Sequence, residues 1–319
     1  NHGIPHVFPQ ETIAEAERAV DLPLSSDHRE DLRDVPIVAI DPADARDHDD
    51  AIWAEPDGKG GYRAIIAIAD VSYYVRPGGE LDREARKRGN STYFPDRVVP
   101  MLPDRLSGDL CSLHEGVPRA CIAVRMVLDA KGNKIGHSFH RGLMRSPASL
   151  HYEEVQDAID GNPNDRTGPL LEPVLKPLYA AYAALKKARA ERQPLELDLP
   201  ERKIELGADG KVKSVNFRER LDAHKLIEEF MVLANVAAAE TLLKKKTPLL
   251  FRIHEEPAQE KLESLRETAQ AAGFTLAKGQ VLQTAHLNRL LDQAAGTNDA
   301  ELINLSTLRS MTQAYYGPA

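Results

Sequence analysis

The order of hydrophobic and polar residues predicts β-strands in the first half of the chain. Runs rich in β-branched and aromatic residues lie at 35–40, 50–55 and 62–75, and turn-forming residues at 56–61 separate the last two. We predict neighbouring strands of one sheet there. A hairpin is predicted over 119–144, because Lys131, Gly132 and Asn133 separate two further runs of this kind. Two helices accompany the strands, at 9–20 and at 80–90, and the second ends at Gly89.

Apolar residues at three- and four-residue spacing predict helices in the second half of the chain. The predicted helices cover 152–161, 170–192, 220–246, 260–274, 285–296 and 301–317, and a strand pair at 202–217 interrupts them. We therefore predict an α+β fold with a mixed β-sheet, its strands mainly in the first half and its helices in the second. Residues 1–34 are interpreted as an N-terminal arm or linker, and residues 35–319 as one domain.

The composition is typical of a globular protein outside the membrane. Of the 319 residues 42% are hydrophobic and 28% charged, which is enough for a sizeable core. The longest nearly continuous apolar run, at 230–239, is far shorter than the ~20 residues of a membrane span, and no signal-peptide pattern is present, so a cytoplasmic location is predicted. Cys111 and Cys121 are the only cysteines, and we predict buried free thiols rather than a disulfide or a zinc site.

Charge is unevenly distributed along the chain. The net charge of −8 is unusual for a protein that binds nucleic acid. Residues 1–60 contain fifteen acidic and five basic residues, however, whereas residues 75–150 contain eight acidic and thirteen basic ones. This pattern is compatible with carboxylates that hold a metal beside a basic surface that meets phosphates, and equally with a solvated basic face that has no ligand.

Five aspartates fall within ten residues between two predicted strands. They are Asp41, Asp44, Asp47, Asp49 and Asp50. Like charges at this spacing repel one another unless a cation lies among them. An EF-hand calcium loop is disfavoured, because loops begun at Asp41, Asp44 or Asp47 lack a required residue at a downstream position. Hard divalent cations prefer oxygen ligands, so metal-assisted phosphoryl chemistry is favoured over a solvated acidic turn. His48, inside the cluster, is interpreted as an exposed residue rather than a general base.

Four segments of the chain resemble one known family. They are IDPADARDHDDAI at 40–52, AIADVSYYV at 67–75, GNSTYFPDRVVPMLPDRLSGDLCSL at 89–113 and AHKLIEEFMVLANVAAAE at 223–240. In order and spacing they are similar to the catalytic domain of the ribonuclease II family, the RNB type, and within it to the bacterial ribonuclease R branch. The resemblance implies a Mg²⁺-dependent exoribonuclease that degrades single-stranded RNA processively from the 3′ end and releases nucleoside 5′-monophosphates.

The resemblance also implies roles for acidic residues. The family's catalytic and metal-ligating positions fall on Asp41, Asp47, Asp49 and Asp50. Asp44 lies outside the shared set and is interpreted as a solvated turn residue. The glutamate that the family directs at the terminal ribose is either Glu228 or Glu229. Glu229 is preferred, because it lies beside the apolar stripe of its predicted helix whereas Glu228 lies nearly opposite that stripe.

Tyr93 matches the tyrosine that, in this family, stacks on a nucleotide near the scissile end and sets the size of the final product. An aromatic residue among Arg88, Asn90 and Arg97 also suits single-strand binding, in which stacking combines with positive charge. Tyr93 and Arg97 are therefore candidate substrate-binding residues. Without the resemblance to this family, Tyr93 would be interpreted as a partly buried core residue.

The resemblance implies Mg²⁺ as the cofactor, with Mn²⁺ as an alternative, and single-stranded RNA as the partner. We expect a monomer and no membrane partner. Relatives carry cold-shock and S1 RNA-binding domains, and a segment beyond the position of Ala319 with an arginine that stabilises the phosphate in the transition state. We expect these parts to lie outside the present sequence. Two alternatives stay open: an inactive fragment or RNA-binding module of the same lineage, and a metal-dependent phosphoesterase with another substrate.

Overall fold

The computed structural model describes residues 3–197, 199, 202–217, 219–276 and 283–318. The chain forms two compact units, which comprise Asn1–Lys186 with Ile204–Ala237, and Lys187–Lys203 with Ala238–Ala319. Strands dominate the first half and helices the second, so the predicted α+β fold is confirmed. The predicted division into an arm at 1–34 and one domain at 35–319 stays a prediction.

The strands, in chain order, are β1 (Glu30–Leu32), β2 (Ala39–Asp41), β3 (Asp50–Pro56), β4 (Tyr62–Ala69), β5 (Thr92–Tyr93), β6 (Val98–Val99), β7 (Pro118–Leu128), β8 (Lys134–Arg145), β9 (Ser149–His151), β10 (Arg202–Leu206), β11 (Val212–Phe217), β12 (Phe251–Ile253) and β13 (Tyr315–Gly317). The α-helices are α1 (Gln10–Arg18), α2 (Val71–Tyr74), α3 (Glu80–Arg88), α4 (Tyr152–Ile159), α5 (Gly168–Leu170), α6 (Lys176–Arg192), α7 (Asp222–Lys244), α8 (Gln259–Ala271), α9 (Thr284–Ala294) and α10 (Ala300–Ser310).

The central sheet of the first unit has five strands in the order β1-β8-β7-β4-β3. β1 lies parallel to β8, and the other neighbours are antiparallel. β7 and β8 form the predicted hairpin. Its turn requires Gly132, which has a positive φ of 83° and packs so closely on α6 that a Cβ atom would lie 2.1 Å from the carbonyl oxygen of Ala184.

The two faces of this sheet bury different cores, because successive side chains of a strand point to opposite faces. One face, which includes Ile52, Ile66 and Met126, packs against α4, α6 and the first part of α7. The other face, which includes Ile65 and Ala67, packs against α1, α3 and the segment around residue 106. β3 lies at the edge of the sheet, and it begins at Asp50, so the acidic segment meets the sheet at a corner.

Several local predictions were wrong. Residues 71–74 form the short helix α2 rather than the end of a strand, and residues 315–317 form strand β13 rather than the end of a helix. β2 pairs with β9 in a separate two-stranded sheet, and the predicted strand at 35–40 meets β3 through the isolated antiparallel bridge between Val38 and Ile52. The polar segment before residue 35 contributes β1, which sequence alone did not indicate. Each of these short elements is held by partners distant in sequence, which local patterns do not report.

In the second unit, α8, α9 and α10 enclose a small core that includes Leu265, Leu290 and Ile303. β12 and β13 form an antiparallel pair in the same unit. None of the helices in the described ranges is both long and apolar enough to cross a bilayer. Cys111 and Cys121, in the first unit, are buried free thiols as predicted, and burial raises the pKa of each thiol to about 12.

Candidate active site

The acidic loop, residues 42–49, connects β2 to β3. Val38 and Ile52 exchange two backbone hydrogen bonds of 2.9 Å, so the chain leaves along β2 and returns beside it along β3. This arrangement brings Asp41, the last residue of β2, to the same end as Asp50, the first residue of β3. The amide of Ala69 donates to the carbonyl oxygen of Asp49 at 2.9 Å, which fixes the end of the loop to β4.

His48 lies inside the acidic loop and pairs with Asp41, its Nδ1 atom 2.7 Å from Oδ2. Its backbone N–H donates to Ser112 Oγ at 2.9 Å, and its carbonyl oxygen accepts from the Leu113 amide at 2.8 Å. Only 8% of His48 is exposed, so the prediction of an exposed histidine was wrong. The hydrogen bond to Asp41 raises the pKa of His48, and the charges of Asp41 and other nearby aspartates act in the same direction against burial.

The carboxylates of the loop are electrostatically unfavourable for one another. Burial, followed by the charges of Asp41 and Asp49, raises the pKa of Asp50 to about 7. Desolvation and the charges of Asp47 and Asp41 also raise the pKa of Asp49, although its side chain reaches the surface. His48 opposes both shifts. Asp44 is exposed, as expected for a solvated turn residue.

The chemistry of these donors fits a hard divalent cation. Their oxygens are the ligands that Mg²⁺ and Mn²⁺ prefer, and the pKa values of Asp49 and Asp50 are raised first by desolvation and then by the charges of neighbouring aspartates. The positions of the described side chains, in contrast, do not form a complete set of metal ligands. Across the described ranges, no group of three or more His, Cys, Asp or Glu residues is placed to hold a metal, and Asp41 is already engaged by His48.

Tyr93 stands on the β5–β6 hairpin beside the acidic loop. Its side chain is mostly in solvent, with 67% of the residue exposed, so it is not the partly buried core residue that the sequence without the family suggested. The hydroxyl donates to Asp47 Oδ2 over 3.4 Å, a long hydrogen bond. Partial burial and the charges of Asp47 and Asp49 raise the pKa of Tyr93. The structure therefore places an accessible aromatic ring next to the aspartates.

The basic residues expected around Tyr93 differ in accessibility. Arg97 is exposed and forms an ion pair with Asp96 at 2.6 Å. Arg88, by contrast, has only 2% of its side chain exposed, so its predicted part in a surface that meets RNA was wrong. Two other bases of this region, Arg83 and Arg86, pair with acids of α3 itself, which reduces the positive charge they present.

The two candidate glutamates of α7 point in different directions. Glu229 is buried, with 4% exposed, on the helix face that also buries Leu226 and Phe230. Glu228 is exposed and forms an ion pair with Arg220. The geometric preference for Glu229 as the inward-facing residue therefore agrees with the structure, whereas its role toward a ribose stays a prediction.

Asp70 is a residue that sequence reasoning did not single out. It is buried at the end of β4, one residue after the Ala69 amide that holds Asp49, and its Oδ2 atom lies 2.9 Å from Arg29 Nη2 and 2.8 Å from Arg141 Nη1. The sequence signal that could have identified it is a carboxylate that directly follows an apolar strand. Its two arginines come from distant segments, and pairing of this kind is what a buried charge requires.

Comparison with known families matches the RNB domain over residues 29–319. The chain belongs to the RNB family. In this RNB domain, the acidic loop, Tyr93 and α7 lie within the matched range. Ribonuclease R of Escherichia coli strain K12 is 42% identical over 322 residues, an alignment that covers 99% of this chain and 39% of that protein. The present RNB domain therefore spans less than half the length of that relative.

Solved structures show the same fold. Mycoplasma genitalium RNase R in complex with ribose-methylated single-stranded RNA superposes with a TM-score of 0.89 at 27% identity, which covers 98% of this chain and 49% of that chain. Yeast Ssd1, described as a pseudonuclease, has a TM-score of 0.74 at 19% identity and covers 93% of this chain and 36% of that one. At that identity the likeness to Ssd1 concerns the fold alone.

Proposed function

We propose that this RNB domain is the catalytic part of a metal-dependent exoribonuclease. In this proposal it hydrolyses single-stranded RNA processively from the 3′ end and releases nucleoside 5′-monophosphates. The observation that carries the proposal is the convergence of the acidic loop with the exposed Tyr93, whose hydroxyl reaches Asp47, in a chain of the RNB family. Cold-shock and S1 domains outside the present sequence, a monomeric state and a cytoplasmic location are further expectations.

The four aspartates are proposed to hold Mg²⁺, or Mn²⁺ as an alternative. They are Asp41, Asp47, Asp49 and Asp50. When bound, such an ion supplies a Lewis acid that stabilises charge on a phosphate and lowers the pKa of water. The chain itself contributes the negative potential: Asp50 has a pKa of about 7, so an added positive charge favours its ionised form. His48 holds the Asp41 carboxylate in a fixed orientation at 2.7 Å.

Other side chains are proposed to orient RNA. The exposed ring of Tyr93 offers a stacking surface for a base, and the guanidinium of Arg97 is accessible to a phosphate. Glu229 can accept a hydrogen bond from a hydroxyl of the terminal ribose, which is the group that distinguishes RNA from DNA. Glu229 lies on the inward face of α7, whereas Glu228 lies on its exposed face, and this direction is the reason for the choice.

A direct test is a time course on a 5′-labelled single-stranded RNA with Mg²⁺, with and without chelator. The chain is compared with a version extended beyond Ala319, and with Asp50→Asn in both lengths. We expect the extended version to shorten the RNA from the 3′ end to a short limit product in the presence of Mg²⁺. This shortening should be absent for Asp50→Asn, and DNA of the same sequence should not be cleaved. Cleavage that persists in Asp50→Asn, or equal cleavage of DNA, would contradict the proposal.

A second candidate is an RNA-binding module of the same lineage that does not hydrolyse RNA. It is favoured by the pairing of Asp41 with His48 and by the incomplete ligand set in the described residues. In that case neither length cleaves RNA, while both bind single-stranded RNA with an affinity that is independent of Mg²⁺. Equilibrium binding measured beside the time course distinguishes the two candidates.

A further inference from the structure

Arg88, the last residue of α3, has a buried side chain that connects three segments of the first unit. Its Nε atom donates to Glu84 Oε1 at 2.9 Å within α3. Nη1 donates to the carbonyl oxygen of Pro100 at 3.1 Å, and Nη2 to that of Val7 at 2.9 Å. The planar guanidinium has donors in a rigid fork, so these three acceptors fix its position in a way that lysine cannot reproduce.

The hydrogen bond between Arg88 and Pro100 joins the two ends of the hairpin that carries Tyr93. α3 ends at Arg88 because Gly89 has a positive φ of 80°, and the chain then enters β5 within three residues. Pro100 directly follows β6, the partner of β5. The Met101 amide also donates to Ser91 Oγ at 3.0 Å. The two ends of the hairpin are therefore held together by Arg88 and by Ser91, while the side chain of Tyr93, the last residue of β5, is exposed.

The N-terminal arm completes the surroundings of Arg88. The ring of Phe8 lies against the guanidinium, with 3.6 Å from the Cζ atom of Arg88 to the ring centroid, a cation–π contact. The same arm holds the other end of α3, because Glu15 Oε2 of α1 accepts a hydrogen bond of 2.6 Å from the Glu80 amide. A carboxylate at this position satisfies a free amide and interacts favourably with the helix dipole.

We propose that Arg88 and Phe8 are positioning residues for Tyr93, through which the N-terminal arm sets where the 3′ end of RNA is held. The inference rests on the proposed function. Neither residue touches the substrate: both fix the base of the β5–β6 hairpin, and the hairpin fixes the ring. A stacking platform that is held in place loses less freedom when a nucleotide binds, so loosening its base weakens binding of that nucleotide without altering the aspartates.

The test uses an RNA with 2-aminopurine as its 3′-terminal nucleotide, bound in chelator so that no cleavage competes with binding. Stacking on a tyrosine quenches the fluorescence of this base. Phe8→Leu retains apolar packing but removes the ring, and Arg88→Lys retains the charge but removes the fork. We expect each variant to reduce the quenching and to weaken the apparent affinity about two- to fivefold, as loss of a partly desolvated cation–π contact suggests.

Matched controls come from the same two elements. Val7 accepts the Arg88 hydrogen bond through its backbone carbonyl oxygen and its side chain is exposed, so Val7→Ala should leave both readouts unchanged. Arg83 is exposed on α3 and pairs with Glu80, so Arg83→Lys should also leave the quenching and the affinity unchanged. Thermal unfolding of each variant establishes that it is folded at the temperature of the binding measurement.

A double-mutant comparison separates positioning from general loss of structure. Tyr93→Ala alone should weaken binding about tenfold, the range expected for loss of one stacked base. Phe8→Leu should then have no further effect in the Tyr93→Ala background. An equal effect of Phe8→Leu in both backgrounds, or none in either, would overturn the inference while the proposed function stands. If Tyr93→Ala itself changes nothing, the proposed role of Tyr93 fails, and the inference with it.

Discussion

His48 Nδ1 lies 2.7 Å from Asp41 Oδ2, so the acidic loop contains its own partner for a carboxylate, which is cationic when the imidazole is protonated. The backbone of His48 is held by Ser112 and Leu113, 64 or more residues along the chain, which buries the ring beside the aspartates. A bound cation and the imidazolium would both neutralise the same carboxylate. The stability of the chain without metal should therefore depend on the charge of this loop.

We predict that the chelated chain becomes less stable as the pH rises through neutrality. The folded-state pKa of His48 is raised, so its pairing with Asp41 stabilises the fold fully below about pH 6.5 and is lost as the pH rises through the folded value. Asp50 acts in the same direction, because its folded pKa of about 7 exceeds the unfolded 3.8. Urea unfolding between pH 5 and 8 should show a loss on the order of 2 kcal/mol.

Asp50→Asn should stabilise the chelated chain and abolish cleavage. The amide removes a charge from a partly buried, repulsive position, so the free energy of unfolding at pH 8 should rise by about 1–2 kcal/mol and its pH dependence should become smaller. Mg²⁺ should stabilise the unsubstituted chain more than the variant. Denaturant unfolding with and without Mg²⁺ measures both effects, and a Mg²⁺ response that is identical in the two proteins would count against Asp50 as a ligand.

Tyr93→Ala should lengthen the limit product of RNA degradation without stopping hydrolysis. The residue is mostly exposed and its hydroxyl reaches the acidic loop over a long hydrogen bond, so removal of the side chain should take away a stacking surface and leave the aspartates in place. Tyr93→Phe retains the ring and should restore the original length. Denaturing gels resolve the products, and an unchanged ladder for Tyr93→Ala would argue against stacking at this position.

Glu228 and Glu229 form a matched pair for mutagenesis. Glu229→Gln should weaken discrimination between a ribose and a deoxyribose at the 3′ end by about tenfold. The substitution replaces a buried, charged acceptor of the proposed hydrogen bond from the hydroxyl by a neutral amide. Glu228→Gln, on the exposed face, should change discrimination less than twofold and stability by no more than about 0.5 kcal/mol. Competition binding with the two oligonucleotides in chelator measures this, and a larger effect at Glu228 would reverse the assignment.

The sequence predicted the elements that local patterns determine. The β7–β8 hairpin, the end of α3 at Gly89 and the inward face of α7 follow from turn residues and helical spacing, and all agree with the structure. The clustering of the acidic residues was predicted from the motif and from the density of charge. In the structure, the loop between β2 and β3 brings its two ends together. Assignment of catalytic roles to those aspartates stays a prediction.

Features that depend on distant contacts were not predictable in this way. His48 and Arg88 carry charge and lie in polar segments, which favours exposure, yet both are buried by partners from elsewhere in the chain. Asp70 illustrates the same limit: its arginines are 41 and 71 residues away. Periodicity reports the direction of a side chain relative to its own element, whereas burial of a polar group requires knowledge of the groups that satisfy it.

The two buried thiols give this chain a practical property. Cys111 and Cys121 have pKa values raised to about 12, so at neutral pH almost none of either is present as the nucleophilic thiolate. Maleimide reagents should therefore leave the native chain unlabelled. A cysteine introduced at an exposed position such as Arg97 would then accept a fluorophore selectively, and the emission of that dye would report on the surroundings of the β5–β6 hairpin with both natural cysteines retained.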